Sequence, residues 1–249
     1  MLLDLPCVVV LGVPIVRLTP DDALAAIAEA SEESPPALVA YANAHTLNFA
    51  WTDAEYRKLL QMDAAVVLND GAGVALAARL QGRSFPANLN GSDFNPRILE
   101  LAAVRGWSVY FLGARPGVAE RAALRLGAHI TGLEVVGARD GYFSADEEQQ
   151  VAAEVKASGA RVIMVAMGNP LQERWLVRNL PATGARLGVG VGAFFDFAAE
   201  EVPRAPAWMN RLGVEWVHRL VLDPGRLWRR YVLGNPLFLL RVMRERLRA

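Results

Sequence analysis

The stretch VVLNDGAGVALAARL, residues 66–80, runs from an apolar segment through Asp70-Gly71 straight into apolar positions at helical spacing. It reads as a buried strand, a short turn and a helix, the repeating unit of a parallel α/β sheet. The same succession recurs on both sides. ALVAYANA (37–44), WSVYFLG (107–113), LEVVGA (133–138), ARVIMVAMG (160–168) and ARLGVGVG (185–192) are short apolar runs that read as buried strands. Between them lie helical stretches such as FNPRILELAAVR, GVAERAALRLGA, DEEQQVAAEVKAS and NPLQERWLVRNL. TPDDALAAIAEA (19–30) opens with Thr19, Pro20 and two aspartates, the signature of a capped helix start. The alternation predicts an α/β fold: a Rossmann-like parallel sheet flanked by helices.

From about Pro203 the pattern changes to short Arg- and Trp-bearing helical segments punctuated by Pro224, Gly225, Gly234 and Pro236. The expected organisation is therefore an α/β catalytic core over 1–202 and a helical membrane-association appendage over 203–249. Charge divides in the same place. From Arg204 onward there are ten arginines against Glu215, Asp223 and Glu245, so this part carries +7 and the remainder of a neutral chain −7. Such a tail suits an anionic lipid surface, and equally a solvated basic face over buried tryptophans; both readings stay open. Zero net charge and scarce lysine make nucleic acid a poor partner.

Of the 249 residues 53% are apolar and 21% charged, enough for a substantial core and against disorder. The one cysteine, Cys7, has no partner for an internal disulfide and reads as a packing residue of a protein from a reducing compartment. The first residues lack a basic stretch and carry Asp4, so a cytoplasmic start is expected. No run approaches the roughly 20 apolar residues that span a bilayer; the nearest is YVLGNPLFLL at 231–240.

In parallel sheets ligands gather beyond the carboxyl ends of the strands, where Asn43, Asp70, Gly113, Gly168 and Gly192 fall. Asp-Gly is also a common turn pair, but joining a strand to a helix excludes a tight hairpin, leaving Asp70 as either a turn residue or a working acid. FLGARPGVAERAAL (111–124) offers loop N–H groups and Arg115 to a diphosphate. GVGVGAFFDF (188–197) has the wrong glycine spacing for a dinucleotide fingerprint, which disfavours NAD, and no cofactor is expected. His45, His129 and His218 have no neighbours at metal-ligand spacing, so no metal site is indicated. In GNPLQERWLV, Gln172 and Glu173 sit in the first turn of a helix, either as a favourable helix start or as groups able to grip sugar hydroxyls.

Together, NAH, NDGAG, FLGARPGV, DGYF, GNPLQERW, GVGAFFDF, RAPAWMNRLGVEWVHRL and DPGRLWRRY, in this order over nearly the whole chain, resemble the WecG/TagA/CpsF family of bacterial glycosyltransferases, glycosyltransferase family 26. The resemblance implies inverting transfer of an N-acetylmannosamine-type sugar, its uronic acid or glucose, and with no DxD-like motif in the sequence the transfer is expected to need no divalent metal. The donor would be a UDP-sugar and the acceptor a polyprenyl-diphosphate-linked sugar at the inner membrane surface, in polysaccharide or teichoic-acid-type biosynthesis. By the same resemblance Asp70 is the general base and Gln172 a second catalytic position. It also makes Asn43, Tyr142, Gln172 and Asp196 substrate-binding positions and has Arg219, Arg226 and Arg229 meet the lipid diphosphate; Gly71, Gly113, Glu173 and Arg204 are further substrate-binding candidates, and Arg230 a further candidate for the lipid diphosphate. Two positions depart from the family pattern: Tyr41 where threonine is usual and Asn88 where arginine is usual. These departures motivate the rival expectation of an inactive or divergent UDP-sugar-binding membrane scaffold. A homo-oligomer is a further open expectation.

Overall fold

The computed structural model of the protein describes residues 5–203, 205–206, 209 and 214–247. It is a six-stranded parallel sheet with helices on both faces. In chain order the sheet is built from β3 (Ala37–Ala42), β4 (Ala65–Asn69), β5 (Val109–Gly113), β6 (Val135–Arg139), β7 (Val162–Ala166) and β8 (Leu187–Gly190). Their spatial order is β4-β3-β8-β7-β5-β6, every pair parallel. Every residue of β3, β5, β7 and β8 is buried, which is why they read as unbroken apolar runs rather than alternating ones. β6 closes one edge and is half-buried throughout.

Ahead of the sheet lies an antiparallel hairpin that the apolar N-terminal run did not announce, β1 (Cys7–Val10) and β2 (Val13–Val16). Its two-residue turn, Leu11 (φ 51) and Gly12 (φ 78), takes positive φ at both positions, as the twist of paired strands favours. A leucine holds that strained conformation because its side chain is buried and its N–H donates to Glu245 Oε2 at 3.0 Å.

One face of the sheet is covered by α1 (Pro20–Ala30), α5 (Gly91–Arg105), α6 (Val118–His129) and α9 (Phe194–Ala198). Here Phe195 stacks on Phe111 of β5 with ring centroids 4.6 Å apart. The other face carries the hairpin, α2 (Ala44–Thr52), α3 (Ala54–Leu60), α4 (Ala72–Leu80), α7 (Glu148–Ser158) and α8 (Leu171–Thr183). As expected, Thr19 caps α1, its hydroxyl accepting from the Asp22 N–H at 3.2 Å. Helices α2 and α3 each have a side-chain cap, from Asn43 and Asp53 respectively.

The C-terminal helices correct the reading of Gly and Pro as punctuation. Pro224 opens the helix Pro224–Trp228, which passes through a π-helical turn, Arg229–Leu233, into the final helix Gly234–Arg246. Pro224 occupies the first helical position, where a missing N–H costs nothing, and Pro236 follows directly on the π-helical turn. Nor is the final helix a free terminus. Phe238 and Val242 are fully buried against the core, Asn48 Nδ2 donates to Gly234 O at 2.8 Å, and Arg241 Nη1 donates to Asn48 Oδ1 at 2.7 Å. Among the described residues no helix is long and apolar enough to cross a membrane.

Candidate active site

Parallel strands place all their carboxyl ends on one edge, and two adjoining chambers open there. The larger, about 590 Å³, lies over β3, β5, β7 and β8 and has a polar wall that includes Ser92, Arg115, Tyr142, Gln172, Asp196 and Arg230. The smaller, about 300 Å³, lies between α2, α4 and the C-terminal helices and is mainly apolar, with Ala44, Leu76, Trp216, Tyr231, Phe238 and Leu239 in its wall. Five residues line both: Asn43, His45, Asp70, Asn90 and Arg230. The Asp70 carboxylate therefore sits where a polar and an apolar compartment meet.

Local structure accounts for its position. Asp70 follows the last residue of β4, and its N–H continues the ladder by donating to Ala42 O at 2.9 Å. Gly71 then adopts φ 89, ψ 170, a region open essentially to glycine alone. Its N–H donates to Asn88 Oδ1 at 3.0 Å. Asn43 caps α2 with its carbonyl oxygen, accepting from the N–H groups of His45 (3.0 Å) and Thr46 (3.1 Å). That cap leaves the amide nitrogen to donate to Asp70 Oδ2 at 3.1 Å. The turn and the carboxylate are thus held from β3, α2 and the segment before α5.

Both departures from the family pattern belong to this scaffold. Asn88 is the acceptor that holds Gly71. The Tyr41 hydroxyl donates to Asn95 Oδ1 at 2.6 Å, and burial, with the Asp70 charge second, raises its pKa well above the usual phenol value, so it stays protonated. His45 is pushed down to about 4 by burial and then by the Arg230 guanidinium, so near neutral pH it lines both chambers as an uncharged imidazole. Sequence reasoning weighed His45 only as a metal ligand; its place two residues after a capping asparagine was the available signal. Among the described residues no group of three or more His, Cys, Asp or Glu side chains could hold a metal ion.

Seven anticipated residues meet at the chambers: Asn43, Asp70, Gly71, Tyr142, Gln172, Asp196 and Arg230. Three do not. Gly113 lines neither; with φ 127 it lies so close to β7 that a Cβ would meet Ala166 O at 2.5 Å, and its neighbours Ala114 and Arg115 form the wall instead. Glu173 is fully buried behind Gln172, unable to reach a ligand hydroxyl. Arg229 is exposed, its guanidinium 5.4 Å from the Trp228 ring centroid. Arg204 lies outside the described residues, as do the side chains of Arg219 and Arg226.

A family model described as "Glycosyl transferase WecG/TagA/CpsF family" matches residues 8–249. The chain belongs to this family. As a WecG/TagA/CpsF member it is a glycosyltransferase. It is 28% identical over 209 residues to the N-acetylglucosaminyldiphosphoundecaprenol N-acetyl-beta-D-mannosaminyltransferase of Bacillus subtilis (strain 168), covering 84% of this chain and 80% of that protein. The enzyme of the same name from Bacillus spizizenii is 29% identical over 214 residues, 86% of this chain and 81% of the relative.

Proposed function

We propose that this glycosyltransferase moves an N-acetyl-β-D-mannosaminyl group from its UDP-sugar to an N-acetylglucosaminyl-diphospho-undecaprenol acceptor, with inversion at the transferred carbon. The observation that carries the reading is the Asp70 carboxylate in the wall common to a polar and an apolar chamber. The polar chamber, with Ser92, Arg115 and Arg230 in its wall, suits a nucleotide diphosphate; the apolar one, with Trp216 and Tyr231 in its wall, suits the acceptor sugar and the start of its lipid. The relatives' names supply the sugars.

Inversion takes one displacement. The acceptor hydroxyl attacks the anomeric carbon while its proton passes to Asp70; the bond from that carbon to the diphosphate oxygen breaks and UDP departs with the electron pair. Charge builds on the leaving diphosphate, and Arg115 and Arg230 are the chamber's cationic donors suited to meet it.

The C-terminal segment is read as the part that meets the inner membrane surface. Leu233, Leu237, Leu240 and Met243 are exposed apolar side chains on the last two helical stretches, flanked by the exposed Arg229 and Arg244. The deciding experiment offers a panel of UDP-sugars with a short-chain polyprenyl-diphosphate N-acetylglucosamine and reads products by mass spectrometry. The mass of one added N-acetylhexosamine, from UDP-N-acetylmannosamine alone, is the expected result. Transfer of another sugar overturns the donor assignment, and UDP-sugar consumption without lipid product overturns the acceptor.

A further inference from the structure

Gln172 and Glu173, adjacent in the first turn of α8, form a connected pair beneath the polar chamber. The Gln172 carbonyl oxygen accepts two backbone N–H bonds, from Gly168 at 3.1 Å and Gly192 at 3.0 Å. Those glycines follow β7 and β8 and both have positive φ, so one oxygen ties together the two loops that floor the chamber. The Gln172 amide nitrogen donates to Glu173 Oε1 at 2.7 Å. Glu173 also accepts from Asn169 Nδ2 at 2.5 Å on the same oxygen and from the Tyr56 hydroxyl at 3.2 Å on the other.

We infer that Glu173 is a positioning residue: it fixes which way the Gln172 amide points, and thereby holds the Gly168 and Gly192 loops in register for the donor. An amide can turn end for end with almost no change of shape, so hydrogen bonding alone selects its orientation. Here the reversed amide is doubly wrong, with NH₂ against two N–H donors and its oxygen against a carboxylate oxygen. Burial makes that choice stringent, since an unmet polar group costs most where water is excluded. Gly190 is an independent sign of the close fit: a Cβ there would meet Gln172 Nε2 at 2.8 Å and Glu173 Oε1 at 3.2 Å.

The inference concerns the polar chamber as the nucleotide-sugar site and so rests on the function proposed above. The test compares Glu173→Gln, which still offers an acceptor to the Gln172 amide, with Glu173→Met, which has similar length and none. Amide hydrogen exchange of unliganded protein is read at Gly168 and Gly192, with donor KM and kcat measured in parallel. In Glu173→Met the two exchange rates should rise at least ten-fold against those of the strands and donor KM should rise by a similar factor, while Glu173→Gln stays within a few-fold of wild type in both. Equal exchange in the two variants overturns the inference, and loss of kcat in Glu173→Gln overturns it by showing that the carboxylate acts in chemistry. Faster exchange with unmoved donor KM supports the clip and overturns the donor assignment of the chamber. Should Glu173→Met not fold, Gly190→Ala, which displaces the pair without removing a polar group, must give the same selective exchange; its absence overturns the inference.

Discussion

Replacing Asp70 by Asn separates the role of its charge from the role of its shape. The backbone is pinned on both sides, by the Asp70 N–H to Ala42 O and the Gly71 N–H to Asn88, and an asparagine at 70 can still turn its oxygen toward Asn43 Nδ2. The turn should therefore persist. Converting a charge-assisted bond into a neutral one should cost about 1 kcal/mol of stability. What the amide cannot do is accept the acceptor's proton. A positioned general base contributes about 10²- to 10⁴-fold, so the barrier should rise by roughly 3 to 5 kcal/mol. Single-turnover transfer to a soluble short-chain acceptor measures this, and calorimetry with the UDP-sugar measures binding. The expected outcome is kcat lowered by that factor with donor Kd changed by less than about three-fold. A folded Asp70→Asn protein that keeps kcat within about ten-fold of wild type refutes the base assignment.

Four further predictions follow from particular contacts. Asn43→Asp keeps the α2 cap but sets a like charge beside Asp70, which should raise the Asp70 pKa and move the acid limb of the pH–rate profile to higher pH; an unmoved limb contradicts the pairing. Burial holds the Glu173 carboxyl up at about 7 against an ordinary 4.5. Its contribution is fully present below pH 4.5 and is lost as pH rises through 7, roughly 3 kcal/mol in all, so urea unfolding at several pH values should show a wild-type decline over that window that Glu173→Gln removes. Phe238→Ala should cost about 3 to 5 kcal/mol in the same assay, because the ring is fully buried between the final helix and the core. Leu240→Glu, at a position 60% exposed, should leave thermal stability unchanged and reduce cosedimentation with anionic liposomes; equal sedimentation argues against this face as the membrane contact.

The amino-acid sequence by itself determined the architecture. Strands buried on both faces must be apolar throughout, so runs such as ALVAYA and VIMVA are legible without coordinates, as is the Thr19 cap. Parallel topology then sends every strand's carboxyl end to one edge, which is why Asn43, Asp70, Gly168 and Gly192 could be grouped before their contacts were seen. Periodicity reports only whether a residue's own segment is buried, not what it is buried against. The strand order, the N-terminal hairpin and the docking of Phe238 all depend on partners distant in the chain, so only the tertiary structure decided them. The same holds for direction within a helix turn: successive residues project about 100° apart, so Gln172 reaches the chamber while Glu173 lies buried behind it. That the Asp70 turn joins two compartments of opposite polarity is likewise a product of packing, because the second compartment exists only once the final helix lies across α2 and α4.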